Sequence, residues 1–184
     1  MKKDYEQLIS SYNGGDLDLS GCTIKKLELG DIQGNLNLSK CTIDSLSIGW
    51  VSNNLNLSGA DIKNVNCAFD AESVNMAGSK IKKLPSHIYT GSLNIEKSNI
   101  TKLNTDVQTN VLNIRNTKLE QLPKNLKVQK LIVDSKTAKN LPLTTLNQCD
   151  ELEMDGYTYF EKNDLINNYN FCSVCETETE FACV

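Results

Sequence analysis

The chain has 184 residues, a hydrophobic fraction of 39%, an aromatic fraction of 6% and a net charge of −4. This length predicts one domain, and the low apolar content favours an architecture that buries aliphatic side chains in thin layers. The acidic balance argues against a general phosphate-binding role, and Arg115 is the only arginine, so direct nucleic-acid binding is not expected.

Residues 1–15 predict a short amphipathic helix. Asp4 is the expected N-cap, and Gly14 and Gly15 are expected to end the helix. Its apolar side chains fall at helical spacing at Tyr5, Leu8, Ile9 and Tyr12. We expect this helix to cap the first coil of the structure that follows, because the end of a stack of strands is an exposed edge.

The start of the chain has no apolar stretch of the kind found in signal peptides, and no later run approaches the ~18 apolar residues of a membrane span. We therefore expect a cytoplasmic protein that does not enter the membrane. In that compartment the seven cysteines would be reduced thiols.

From residue 16 to residue 156 the sequence repeats with a period of 19 residues. The phrase "LDLSGCTI" returns as "LNLSKCTI" and then as "LNLSGADI" at that interval. The first apolar position of each repeat is Leu17, Leu36, Leu55, Val74, Leu93, Leu112 and Leu131, and a degenerate eighth row begins at Leu152 after a two-residue insertion. Alternating apolar residues predict a short strand in each repeat, and stacked coils pair their backbones. The prediction is a mainly β, single-domain, right-handed β-solenoid of about seven to eight coils.

Further apolar layers follow within each repeat, two, seven and ten residues after the first position. A fifth layer keeps the 19-residue spacing less strictly. It contains Trp50, Phe69, Ile88, Val107 and Leu126, and Ile32 and Val51 are apolar residues one position later in their repeats. We expect Trp50 to pack in the core or at the edge of a coil, although an exposed tryptophan would be the first candidate for a binding hot spot.

Two families of repeat proteins resemble different parts of this chain. From Ile81 to Pro142 the phrases "IKKLPSHIYTGSLNI", "LEQLPKNLKVQKLIV" and "AKNLP" are similar to short bacterial leucine-rich repeats with an L-P step. The first three rows, with "NLSGADI" and the second alternating segments "LEL", "LSI" and "VNC", resemble pentapeptide-repeat or parallel β-helix proteins. Leucine-rich repeats usually keep an asparagine or a cysteine at one fixed position of each repeat. In this chain only Cys22 and Cys41 fit that rule, and the later repeats have Ala60, Ser79, Ser98, Thr117 and Lys136 at the same position. A leucine-rich horseshoe and a straight β-helix both stay open, and the cross-section of the solenoid is expected to change near Ala71.

A polar residue stands between the two strand apolars of most repeats: Asp18, Asn37, Asn56, Asn75, Asn94 and Asn113. It is expected to face outwards, because neighbouring side chains of a strand alternate between faces. Asparagine is disfavoured in strands, so its recurrence at this strand position needs an explanation. One hypothesis is an amide ladder between successive coils. The other is a ladder that also binds a partner, with Glu96 and Arg115 on the charged flank.

Catalytic motifs are not found in this sequence. His87 is the only histidine and lies in a predicted turn, so a catalytic triad would have to include it. No phosphate-binding glycine-rich phrase is present, and the carboxylates show no paired spacing. We therefore expect a protein that is not an enzyme and that needs no cofactor.

The C-terminal part predicts a cap over residues 157–171, where aromatic residues concentrate, and an acidic tail over residues 172–184. The tail contains Cys172, Cys175 and Cys183, which together with Cys149 could supply four thiolates. A zinc site, a redox role and unreactive thiols all stay open for these cysteines, because a second C-x-x-C phrase is missing.

Three functions therefore stay in view. The first is a non-enzymatic interaction module that binds another protein through the asparagine face. The second is a DNA-mimic inhibitor of a host nucleic-acid or defence enzyme, of phage or plasmid type. The third is a zinc or redox role of the cysteine tail. We expect a monomer, or a dimer formed end to end.

Overall fold

The computed structural model describes residues 4–81, 83–103, 106–123, 126, 128–141 and 149–159. These residues form a β-solenoid of stacked coils with two sheets. The long sheet contains β1 (Leu17–Asp18), β3 (Leu36–Asn37), β5 (Val51–Asn56), β7 (Phe69–Asn75), β8 (His87–Asn94), β9 (Asp106–Gln108), β10 (Val111–Asn113), β11 (Val128–Val133), β12 (Cys149–Met154) and β13 (Tyr157–Tyr159). The short sheet contains β2 (Thr23–Leu29), β4 (Thr42–Ile48) and β6 (Asp61–Val65). The described helices are α1 (Tyr5–Ser10) and α2 (Ser135–Ala138), and neither is long enough to cross a membrane.

Parallel pairing holds the coils in the register that the 19-residue period predicts. Leu17 of β1 pairs with Leu36 of β3, and Leu36 pairs with Leu55 of β5. The same position continues through Val74, Leu93, Leu112, Leu131 and, after the two-residue insertion, Leu152. The predicted β-solenoid is therefore confirmed, while its right-handedness stays a prediction.

The inward side chains of the coils form one continuous apolar core. The largest fully buried side chains include Phe69, Leu19, Ile24, Leu27, Ile32 and Leu36. Each contributes about 1.5–3 kcal/mol through burial, an upper figure that the ordering of the chain largely offsets. A single coil could not bury these side chains on both sides, so the stack is the unit that folds.

Trp50 does not pack in the core as expected. Its side chain is 43% exposed, and the core position of that coil belongs to Val51, which is fully buried. Trp50 lies immediately before β5, whose first residue Val51 takes the inward position. The register between β5 and β7 also shifts after Val51, so the fifth layer does not follow a strict 19-residue spacing.

The cross-section of the solenoid changes after the third coil. The short sheet pairs Leu27 with Leu46 and Leu46 with Val65, and β6 is its last strand. At the equivalent place in the fourth coil the chain has Leu84–Pro85, where no described residue belongs to a named strand. Proline has no N–H to donate to a ladder, so the strand cannot continue there. The predicted change near Ala71 is thus confirmed.

At the N-terminal end, α1 packs against the first coils. The carboxylate of Asp4 accepts the N–H of Gln7 at 3.2 Å, which confirms the predicted N-cap. Tyr5 and Ile9 pack against the core, whereas Leu8 is exposed. The helix ends at Ser10, earlier than the predicted stop at the glycine pair, and serine hydroxyls there bond to helix carbonyls. The role of α1 as a cap stays a prediction.

At the other end, β13 pairs antiparallel with β12. The two strands are joined at Asp155 and Gly156, which both have positive φ, as a type I′ hairpin turn requires. The rest of the predicted C-terminal cap and the whole acidic tail, residues 160–184, lie outside the described residues.

Candidate interaction face

The strand-asparagine row is the set of asparagines between the two strand apolars of successive coils: Asn37, Asn56, Asn75, Asn94 and Asn113. Each pairs in register with the next across the long sheet. All five are half-buried, whereas the residues on either side of each are fully buried. The sequence-based prediction of an aligned, outward-facing row is therefore confirmed.

The asparagines of this row do not form a ladder between coils. In each coil the side-chain Oδ1 accepts the backbone N–H of the residue two positions later. The acceptor–donor distances are 3.1 Å for Asn37 with Ser39, 3.1 Å for Asn56 with Ser58, 3.1 Å for Asn75 with Ala77, 3.0 Å for Asn94 with Glu96 and 3.1 Å for Asn113 with Arg115. Asp18 does the same for Ser20 at 2.9 Å. The ladder hypothesis is wrong for this row.

The physical reason is that the strand ends here and the chain turns. A short Asx side chain can accept the N–H two residues on, and this stabilises a turn. The turn itself contains a residue with positive φ in each of the first coils, for example Gly21, Lys40 and Gly59. Asparagine and aspartate are therefore selected by the turn of their own coil.

A ladder between coils exists two residues earlier in the repeat. Asn35 Nδ2 donates to Asp16 Oδ1 at 2.9 Å, and Asn54 Nδ2 donates to Asn35 Oδ1 at 2.6 Å. Ser73 Oγ then donates to Asn54 Oδ1 at 2.5 Å. A polar ladder therefore spans the first four coils along the neighbouring row, where none was predicted.

The side-chain amide groups of the strand-asparagine row have no hydrogen-bond acceptor among the described residues. The one bond that each side chain makes uses Oδ1, which leaves the Nδ2 group unbonded within this part of the chain. Successive coils are about 4.8 Å apart, so these donors form an evenly spaced line. Their side chains are held in place by the turn bonds.

The charged flank is largely neutralised by internal ion pairs. Arg115 binds Glu153, two coils further on, through a short contact. Lys130 Nζ lies 2.6 Å from Glu151 Oε1 and 3.0 Å from Glu153 Oε2. The hydrogen bonds from Lys130 and Arg115 hold the pKa of Glu153 below its usual value, and the two carboxylates raise the pKa of Lys130. Glu96 pairs with the adjacent Lys97 at 2.9 Å.

The cysteine hypothesis can be followed only in part. Cys149 is half-buried at the start of β12, and burial raises the pKa of its thiol to about 11. The described residues contain no group of three or more His, Cys, Asp or Glu that could hold a metal ion. The other three candidates, Cys172, Cys175 and Cys183, lie outside the described residues.

His87 starts β8 and does not lie in a turn. Its ring is exposed and stacks on Tyr89 with the ring centroids 5.8 Å apart. Its Nδ1 lies 3.4 Å from Asp106 Oδ2 in the next coil. This contact is that of a surface pair across the β8–β9 ladder.

Comparison with models of known protein families, with curated proteins and with solved structures finds no match for this chain.

Proposed function

We propose that this chain is a non-enzymatic interaction module that binds another protein through the strand-asparagine row and the residues beside it. The observation that carries this proposal is the line of Nδ2 donors that have no acceptor among the described residues. Their turn role explains why an Asx residue stands there, but aspartate meets that role equally well, as Asp18 does. Five asparagines in succession therefore favour a use for the amide.

The row is also pre-organised for binding. Each side chain is fixed by its Oδ1 bond, and the coils beneath are held by parallel pairing. A rigid donor surface loses little conformational entropy when it is occupied, so more of the contact energy appears as affinity.

The chemistry of the face defines the kind of partner. Between Asn37 and Asn75 the row beside the asparagines carries small residues, Ser39, Ser58 and Ala77, so a partner can approach closely. Acceptor groups such as backbone carbonyls would meet the Nδ2 donors. The DNA-mimic alternative has less support, because Glu151 and Glu153 are paired with Lys130 and Arg115 and are not free to imitate phosphates.

The repeat type and the location of the protein belong to the same proposal. We infer leucine-rich-like coils for the second half, supported by the Leu84–Pro85 step, and β-helix-like coils for the first three rows, supported by the short sheet. A bacterial or phage protein of the cytoplasm would fit the L-P repeats and the odd number of cysteines, which is seven.

The test is a quantitative pull-down with the double variant Asn56→Asp and Asn75→Asp. Aspartate keeps the Oδ1 acceptor that closes the turn but replaces the amide donor by a carboxylate oxygen. A matched control carries the same two changes at exposed asparagines outside the row, Asn13→Asp and Asn99→Asp.

The expected result is at least one protein that is captured by the wild type and by the control but is reduced about tenfold or more by the Asn56/Asn75 variant. Thermal unfolding of all three proteins must be the same. Capture of every partner to the same level by the two variants would overturn the proposal.

A further inference from the structure

A groove opens on the side of the solenoid where the short sheet ends. It has a volume of about 730 Å³ and lies between the end of β6 and the following two coils. Val65 and Cys67 line it from the third coil, Lys83 and Leu84 from the fourth, and Ile100 and Lys102 from the fifth. The size is that of a site for a short peptide or a small molecule.

The groove exists because the cross-section changes. β6 pairs with β4 on one side, and no described strand continues the short sheet on its other side. Pro85 in the fourth coil has no N–H to donate to the third coil, so this position cannot add to the short sheet. The groove thus lies at the place where the short sheet ends and the repeat type changes.

Its lining combines an apolar floor with positive charge. Val65 and Ile100 are buried, and Leu84 is half-buried against the core. Lys83 and Lys102 are exposed, and among the residues that the structure describes they are the only charged ones that line the groove. Among the described residues neither lysine has a carboxylate within ion-pair distance, whereas Lys63 and Lys130 elsewhere on the solenoid do.

We propose that this groove binds an extended, acidic segment of a partner protein. Carboxylates of the segment pair with Lys83 and Lys102, and an apolar side chain between them packs against Leu84. The two lysines stand on neighbouring coils, about 4.8 Å apart along the stack, and side chains on one face of an extended segment repeat about every 6.6–6.8 Å. The long, flexible lysine stems can bridge that difference.

A carboxylate partner fits better than a phosphate chain. Arg115, the only arginine of the chain, does not line the groove, so the groove offers no bidentate guanidinium for a phosphate. The groove lies beside the short sheet and the strand-asparagine row lies on the long sheet, so this inference does not rest on the proposed function.

The experiment selects peptides from a random heptapeptide phage library on the full-length protein. Enriched sequences are synthesised with a fluorescent label, and their dissociation constants are measured by anisotropy. The groove variant is Lys83→Glu with Lys102→Glu. The matched control is Lys25→Glu with Lys26→Glu, an exposed pair on β2 of the same side.

The expected result is enrichment of peptides with acidic residues around an apolar one, which bind the groove variant about tenfold or more weakly and the control within about twofold of wild type. Enriched peptides without acidic residues, or equal losses in both variants, would overturn the proposal.

Two further arms test other occupants. A labelled single-stranded RNA that binds wild type more tightly than the peptides, and loses binding in the groove variant, would overturn the proposal of a peptide partner. The second arm is the variant Glu176→Gln, Glu178→Gln and Glu180→Gln. Peptide binding about fivefold tighter in this variant would assign the groove to the acidic tail of the chain itself and overturn a partner segment.

Discussion

The side-chain Oδ1 of Asn75 accepts the backbone N–H of Ala77 at 3.1 Å within one coil. The equivalent bond recurs in the coils before and after it. The asparagine that the repeat keeps at this position is therefore a turn residue first, and its amide group is left over for other contacts.

This relationship predicts different outcomes for two substitutions of Asn75. Asn75→Ala removes the acceptor and should lower the free energy of unfolding by about 1 kcal/mol. Asn75→Asp keeps the acceptor, so its stability should stay within a few tenths of a kcal/mol of wild type, about the size of a surface substitution. Urea denaturation followed by circular dichroism measures both. Equal destabilisation by the two variants would contradict the turn role.

Close stacking of glycines predicts a second stability effect. A Cβ at Gly49 would clash with the Asp31 side chain and lie 2.8 Å from the Gly30 carbonyl carbon of the coil below. Gly49→Ala should therefore lower the free energy of unfolding by about 1–3 kcal/mol. Gly30→Ala is the control, because nothing lies within 4 Å of a Cβ built there. Differential scanning calorimetry compares the two, and a shift in the control as large as in Gly49→Ala would be evidence against close stacking.

Buried serine hydroxyls predict variants that are more stable than the wild type. Ser79 Oγ and Ser98 Oγ are buried and have no hydrogen-bond partner among the described residues. Ser98→Ala should raise the free energy of unfolding by about 1 kcal/mol, because an unsatisfied hydroxyl is removed.

Thr117 is the control for this prediction, because its buried hydroxyl does have a hydrogen-bond acceptor and its removal should lower stability. Thr117 Oγ1 donates to Ile114 O at 2.7 Å, so Thr117→Val should lower the free energy of unfolding by about 1 kcal/mol. Urea titration of both variants gives the comparison. A loss of stability in Ser98→Ala would mean that its hydroxyl has an acceptor.

The ion pairs of Glu153 predict a pH dependence. Lys130 and Arg115 lower the pKa of Glu153 in the folded protein. Its stabilising contribution is therefore present above the unfolded value of about 4.3 and is lost as the pH falls through the lower folded value. The pKa of Lys130 is raised in the folded protein, so the stabilising contribution of its ion pairs is lost only at strongly alkaline pH.

Glu153→Gln tests this dependence. The variant should unfold at lower urea concentration than wild type at about pH 7, and the difference should shrink as the pH falls below the unfolded value of about 4.3 and then through the lower folded value of Glu153. The matched variant Glu28→Gln removes a glutamate whose ion pair with Lys26 is exposed, and it should show little effect. A difference between wild type and Glu153→Gln that does not change with pH would contradict the ion-pair account.

The register of the coils could be predicted because it depends on hydrophobic spacing. Leu17 and Leu36 stand 19 residues apart, and the same interval governs their pairing. The two-residue insertion before Leu152 was also visible in the sequence, since the alternating apolar pattern resumes after it. A change of cross-section near Ala71 could be predicted because the second alternating segments "LEL", "LSI" and "VNC" belong to the first three rows, where the short sheet lies.

The hydrogen-bond partner of each asparagine could not be predicted in this way. Asn54 bonds across coils and Asn56 bonds within its own coil, although both are outward asparagines of the same strand. A short amide side chain can reach either acceptor or donor, so only the local backbone geometry decides. The exposure of Trp50 could not be predicted either, because Trp50 and Val51 are neighbouring apolar candidates for one core position and the backbone decides which of them is buried.

The most direct test of the central claim is a ¹⁵N NMR titration of the protein with the partner captured by the wild type. The account predicts that the side-chain Nδ2 resonances of Asn56 and Asn75 shift or broaden most, and that those of Asn13 and Asn99 stay in place. Unchanged Nδ2 resonances along the whole strand-asparagine row at saturation would show that the partner binds elsewhere, and the asparagines would then serve only their turns.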